Sequence, residues 1–413
     1  MTDLVQSIDQ ICFMDSETRR VAGTTCPNVI KAGGHRYFDN CFATIWSWAV
    51  GNAPIEIASL RHGFDGRLSW EHDAPDRLKR FYERAERGEA YFAAWNMAFD
   101  RGVWNGPQSD FPPLRIDMTI DVMAQAVAAG CPATLAGAST WLNVAQKMEE
   151  GKKLIDLYEP PDGLQPSDRP YDWDRFEDYA IRDSEALRDV YNVTLPLSRE
   201  EWEVYWASEA INDRGVGLDT YACAAVSVLV DENLARMNER VIALTGGKVT
   251  AITQPARIID FVAPILRDHA SVRQSLVKRK AKLGDDGTII RPEKLSLSRD
   301  RLEIVLVYLD VLQEREGLSD ELQRVHELLT LRHYGGSATP GKFLKALNVS
   351  HGGRLKGQYV FNGAPQTGRF SSRGVQIHNL TRAHLAELED AALNVISALK
   401  DKRVRARVRE MGY

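Results

Sequence analysis

The sequence predicts an α/β fold: a mixed sheet flanked by helices over residues 1–197, followed by a mostly helical region. Three observations predict it. Short runs rich in β-branched and aromatic residues occupy the first part of the chain. Helical periodicity takes over after Met97, and from about Ser198 nearly every segment reads as helix. Hydrophobic residues make up 44% of the 413 positions and charged residues 26%, which is enough apolar surface for two or three domains.

Each element follows from its residues. Residues 10–15 have the apolar bias of a strand that ends in an acid, and 42–49 and 55–59 are two further strands. A loop containing Gly and Pro, 22–40, separates the first two. Residues 73–88 form a charged amphipathic helix opened by Ala74-Pro75. A short aromatic strand, 91–96, precedes helices at 97–104, 119–129, 135–142 and 173–192. A loop rich in Pro, Asp and Gly, 159–170, precedes the last of these, and Pro196 ends it. Beyond lie amphipathic helices at 200–214, 223–244, 303–314 and 319–331, with an exposed basic hairpin or loop at 278–291. Residues 354–361 alternate as a strand does, a polar loop runs to Arg382, and 383–413 is helical with a basic end. The chain therefore divides into sections 1–197, 198–345 and 346–413.

Composition narrows the function classes. The longest apolar stretch, 42–50, is far short of the ~20 residues of a membrane span. The N-terminus has neither a basic region nor an apolar core, so no membrane partner is expected and the cytoplasm is the expected address. The five cysteines are scattered without a C-x-x-C pair, which excludes a zinc ribbon and argues against a disulfide framework. No H-E-x-x-H is present among the nine histidines. A bound metal would be held by carboxylates, and hence would be Mg²⁺ or Mn²⁺. The net charge of −5 argues mildly against nucleic acid, but a metal-holding acidic cluster makes a nuclease acidic while its groove stays basic.

Three short patterns carry chemistry together. Asp15 and Glu17, at the end of the first predicted strand, are two apart and share one face. Asn96 and Asp100 lie where a strand gives way to a helix, with Asn96 at the N-cap and Asp100 on the first turn. Tyr179 and Asp183, four apart, share a helical face. Each alone is an ordinary feature of a strand end, a cap or an amphipathic helix. In this order, D-x-E, N-x-x-x-D and Y-x-x-x-D resemble the DEDD superfamily of 3′–5′ exonucleases. The tyrosine fits its y-type branch, since Asp178 stands where the h-type branch has His.

The resemblance implies an RNase H-like exonuclease domain over 1–197. It implies two divalent ions, Mg²⁺ or Mn²⁺, clamping the attacking and leaving oxygens of a phosphodiester. Asp15, Glu17 and Asp183 would hold the first ion and Asp15 with Asp100 the second. Tyr179 would orient the attacking water, and Asn96 and Phe99 would lie beside the terminal nucleotides. Asp121 reads as an acid that supports the ligands from behind or is structural, not as a ligand itself.

The later segment, with Thr367-Gly368-Arg369, Ser371-Ser372 and Gln376 to Arg382, resembles the T-G-R…S-S…Q-x-x-N-L-P-R stretch of family A DNA polymerases of phage type. Thr381 stands where that family has Pro, and Pro365 is a second departure. Residues 211–219 and 332–343 resemble the opening of the polymerase part and the stretch after the thumb. The resemblance thus runs from Ile11 to about Arg382 and implies a thumb-like region over 198–345 and the start of a palm over 346–413. Thr367, Arg369, Gln376 and Asn379 would contact primer–template DNA, with Lys342 on a phosphate. The palm and fingers motifs are not found after Arg382, so this chain alone is not expected to polymerise. The expected activity is a proofreading-type exonuclease on single-stranded DNA 3′ ends, in a bacterial or phage-infected cell. The alternative is a DNA-gripping subunit whose palm and fingers lie on a second chain.

Overall fold

The computed structural model describes residues 4–144, 148, 150–280, 282–283, 289–291, 293–336, 340–364, 366–377 and 385–413. Five strands form one mixed sheet: β1 (Ile11–Arg20), β2 (Cys41–Val50), β3 (Glu56–Ser59), β4 (Tyr91–Ala94) and β5 (Thr119–Asp121). Their order is β3-β2-β1-β4-β5, with β1–β2 and β2–β3 antiparallel and β1–β4 and β4–β5 parallel. This is the predicted fold class, a mixed sheet flanked by helices.

β1 runs five residues beyond its expected end at Asp15, so Asp15 and Glu17 stand within the strand. The reason is Arg19, a charged side chain that is 4% exposed. Its guanidinium donates to the carbonyls of Tyr158, Pro161, Gly163 and Leu164 at 2.9–3.1 Å and lies over the Phe64 ring. Those partners come from far along the chain, so no local pattern announces them. A bulge between Glu17 and Thr18 shifts the pairing with β2.

Helices cover both faces. α1 (Val29–Ala32) and α2 (Gly34–Phe38) occupy the stretch expected as loop. α3 (Asp76–Glu86) buries Leu78, Phe81, Tyr82 and Ala85, and α4 (Met97–Trp104) buries Met97, Val103 and Trp104. Together with Cys12 and Met14 of β1 these residues share one core. α5 (Val122–Ala128), α6 (Leu135–Leu142) and α8 (Pro170–Val193) pack on the other side with Ile11 and Phe13. α7 (Gly151–Tyr158), which the sequence reading lacked, shares a smaller core with α8 through Leu154, Tyr158, Trp173 and Phe176. The predicted helix 119–129 begins instead as β5, because Asp121 caps α5 by accepting from the Met123 and Ala124 N–H groups.

By internal packing the chain forms two compact units, which differ from the three expected sections. The first comprises 1–219 and 345–381, the second 220–344 and 382–413. α9 (Arg199–Arg214) belongs with the sheet because Trp202 and Tyr205 fill the core that holds Ile11, Phe13 and Ile120. β6 (Val216–Gly217) closes that stretch.

The second unit opens with α10 (Thr220–Thr245), α11 (Pro255–Ile265) and α12 (Ala270–Leu276). A basic stretch follows as β7 (Val277–Arg279), β8 (Lys282–Leu283), β9 (Ile289–Arg291) and β10 (Lys294–Leu295), in which β8 pairs β9 and β7 pairs β10. Of the two forms expected for 278–291, hairpin or loop, these pairings are the hairpin. α13 (Arg299–Arg315) and α14 (Asp320–Gly335) bury Leu302, Val305, Leu309, Val325 and Leu328 against Ile258 and Val262.

α15 (Gly341–Val349) leads back into the first unit, where β11 (Arg354–Leu355) pairs β6 and β12 (Tyr359–Ala364) pairs β13 (Arg369–Ser372). Asn212 of α9 clasps this hairpin, donating to the Tyr359 carbonyl and accepting from its N–H, both at 2.9 Å. α16 (Leu385–Lys400) and α17 (Lys402–Glu410) complete the second unit. Among the described residues no helix is long and apolar enough to cross a membrane.

Candidate active site

Alternation along β1 sorts its side chains between the two faces. Ile11, Phe13, Asp15 and Glu17 share the α8 face, while Cys12, Met14, Ser16 and Thr18 share the other. Parallel pairing with β4 ends at Phe13, so Asp15 and Glu17 stand just past that shared edge. α8 is held over them by a 2.7 Å hydrogen bond between Ser47 of β2 and Ser184, and by Ser47 donating to the Ala180 carbonyl. Ser47 is opposite Asp15 in the β1–β2 register, so this contact places Asp183 beside it. Farther up α8, Glu177 accepts from Trp173 Nε1 and Ser59 Oγ and pairs with Arg61, fixing the helix to β3.

Asp15, Glu17 and Asp183 come together with one carboxylate oxygen from each, all within 4.8 Å of one another. Glu17 and Asp183 are buried and Asp15 half-buried. Three carboxylates at this separation repel one another in a poorly solvated pocket, and a cation offsets that repulsion. The donor set is all hard oxygen, which suits Mg²⁺ or Mn²⁺ and not a soft metal.

Tyr179, one turn before Asp183, is hydrogen-bonded to it. Burial first, then the charges of Glu17, Asp183 and Asp15, raise its phenol well above the usual range. Its ring stacks on Phe176. Gly151 of α7 makes room for it, since a Cβ there would meet Tyr179 Cε2 at 2.1 Å.

Asp100 reaches β1 from the other side. Its Oδ1 accepts from Ser16 Oγ at 2.7 Å, and it lies outside the three-carboxylate set. It is 2% exposed, and burial together with the nearby charge of Asp15 raises its carboxyl well above the usual range, against the Ser16 hydrogen bond. Asn96 does not cap α4 with its side chain as its position suggests. Its backbone is left-handed, φ 61° and ψ 56°, and no side-chain cap bond forms. Instead its N–H donates to Asp121 Oδ1 at 3.1 Å. Phe99 is half-buried, edge-on to Phe38 with ring centroids 5.7 Å apart.

The later candidates lie elsewhere. Thr367 and Arg369 are exposed at the β12–β13 turn, and Gln376 is exposed with a left-handed backbone, φ 55°. Lys342 is half-buried on α15. Asn379 lies outside the described residues. Ser16, which bonds Asp100, Gly151, which lies against Tyr179, and Tyr205, which bonds Asp121, escaped the sequence reading. A serine between two acids, a glycine opening a helix and a tyrosine in the following section have no local signature.

No protein-family model matches the chain. In sequence it is similar to a DNA polymerase of Bacillus phage SP02, with 28% identity over 278 residues. The match covers 63% of this chain and 37% of that protein, so the chain spans well under half of its relative. Among solved structures it aligns with the POL domain of Pol1 from M. smegmatis in complex with DNA primer-template and dNTP. That alignment has a TM-score of 0.45 and 14% identity, over 84% of this chain and 51% of the other.

Proposed function

We propose that this chain is a metal-dependent 3′–5′ exonuclease that acts on DNA. The observation that carries the proposal is the convergence of Asp15, Glu17 and Asp183 within 4.8 Å, with Tyr179 bonded to Asp183. The similarity to a phage DNA polymerase supports DNA as the substrate. Two divalent ions, Mg²⁺ or Mn²⁺, would be held by these three acids and by Asp100, and would supply Lewis acidity and charge neutralisation at the scissile phosphodiester.

The side chains divide the remaining work. Asp15, close to both Asp183 and Asp100, would help to hold both ions. Tyr179, hydrogen-bonded to Asp183, would orient the attacking water. Glu17 faces the same water. Asn96 and Phe99 flank the terminal nucleotides, whose bases can stack on the phenyl ring whatever their sequence. Thr367, Arg369 and Gln376 of the first unit would contact duplex DNA, and Lys342 of the second unit would contact a phosphate.

The test uses purified protein and a labelled single strand. Wild type should shorten it stepwise with Mg²⁺ or Mn²⁺ and stop with EDTA. Asp15→Ala should abolish cleavage, while Tyr179→Phe should lose ~10²–10⁴-fold because it orients without holding charge. A wild-type rate in Asp15→Ala would remove the metal assignment.

A further inference from the structure

We infer that Tyr205 is a positioning residue for Asp100, acting through Asp121 and Asn96. The inference rests on the exonuclease reading above. Its starting point is the left-handed backbone of Asn96, a conformation that asparagine adopts at less cost than other non-glycine residues and that local hydrogen bonds hold in place. Asn96 sets the direction of α4, since its carbonyl accepts from the Phe99 N–H at 2.8 Å and Asp100 follows on the same turn.

The Asn96 N–H ends on Asp121 Oδ1. The same oxygen caps α5 through Met123 and Ala124 at 2.9 and 3.3 Å. The second oxygen, Oδ2, accepts from the Tyr205 hydroxyl at 3.0 Å. Asp121 and Tyr205 are each 3% exposed, so water cannot readily replace either bond. Trp202 and Phe361 hold the Tyr205 ring edge-on at 5.5 and 5.7 Å. Two residues of α9 thus fix the start of α4. Tyr205 acts through Asp121, and Asp213 makes a two-pronged ion pair with Arg101, the neighbour of Asp100, at 2.8 and 2.9 Å. Without the Tyr205 hydroxyl, Asp121 Oδ2 loses its buried partner, the carboxylate is held through Oδ1 alone, Asn96 is fixed less firmly, and Asp100 loses its aim.

Tyr205→Phe keeps the ring and removes the one bond. Direct outer partners of metal ligands typically contribute ~10–100-fold in metal affinity or activity, and a relay of several bonds draws on the low end of that range. The variant should therefore need ~10-fold or more Mn²⁺ for half-maximal rate, and Mn²⁺ titration without DNA should show the same weakening. KM for the oligonucleotide should stay unchanged while kcat falls. Trp206→Phe removes a different α9 bond, to the Thr119 carbonyl at 2.8 Å, and should lower thermal stability without moving the Mn²⁺ midpoint. If Tyr205→Phe fails to fold, Asp121→Asn serves in its place and should show the same Mn²⁺ shift. A wild-type Mn²⁺ midpoint in the variant, or an equal shift in Trp206→Phe, overturns the inference and leaves the exonuclease reading intact. Wild-type protein that neither binds Mn²⁺ nor cleaves overturns both.

Discussion

Gly151→Ala should disable the site from α7, without touching a carboxylate. An added Cβ would stand 2.1 Å from Tyr179 Cε2, 2.6 Å from Cζ and 2.7 Å from Cδ2. Ordinary contact begins near 3.4 Å, so the ring or the helix must move by about 1 Å or more. The ring has little room, being 4% exposed and stacked on Phe176. Overpacking of this kind typically costs about 1–3 kcal/mol of stability. A misplacement of about 1 Å at a reacting centre costs on the order of 10²-fold in rate. Single-turnover cleavage of a labelled strand at saturating Mn²⁺, with a thermal melt alongside, reads both effects. The double variant with Tyr179→Phe decides the route. If Gly151 acts through the tyrosine hydroxyl, the second substitution adds little to the rate loss of Tyr179→Phe alone. Gly66→Ala, whose Cβ meets nothing within 4 Å, is the neutral control. A wild-type rate in Gly151→Ala, or fully additive losses in the double variant, would refute the reasoning.

Two further outcomes follow from other parts of the first unit. Glu209, 7% exposed on α9, has its carboxyl pushed up from 4.5 to about 7, by burial first, against the Asn212 hydrogen bond. The folded chain then keeps a proton that the unfolded chain loses, so this residue's contribution to stability falls as pH rises from about 4.5 to 7 and is level above, a change on the order of 3 kcal/mol. Glu209→Gln should lack that slope in melts across pH, and identical slopes would contradict the assignment. Arg369→Ala should weaken binding to primer–template duplex and reduce its salt dependence by about one phosphate contact, with short single-strand cleavage kept. Fluorescence anisotropy over a salt series checks it, and an unchanged slope counts against the contact.

Much of the fold was legible because the sheet is built from local pattern. The runs at β2, β3 and β4 carry their own strand signal, and a spacing of two along a strand places Asp15 and Glu17 on one face. The four-residue spacing of Tyr179 and Asp183 likewise places both on the buried face of α8. What escaped depends on distant partners. The last residues of β1 are fixed by Arg19 and carbonyls more than a hundred residues away. α7 was missed because its Leu154 and Tyr158 gain meaning only against α8. Asn96 reads as a side-chain cap by residue type, yet Asp121 holds its backbone in a left-handed turn. Asp100 illustrates the boundary. Its spacing from Asn96 was visible, but its bond to Ser16, on the opposite face of β1 from Asp15, was not.

The polarity of cleavage tests the central claim most directly. One oligonucleotide carries a label at its 5′ end, and an otherwise identical one carries it at the 3′-terminal nucleotide. With Mn²⁺ the 3′ label should leave at once as a mononucleotide, while the 5′-labelled strand shortens one nucleotide at a time, and Asp15→Ala should do neither. Release of the 5′ nucleotide first, internal cuts, or cleavage that persists in EDTA would contradict an exonuclease site built on Asp15, Glu17 and Asp183.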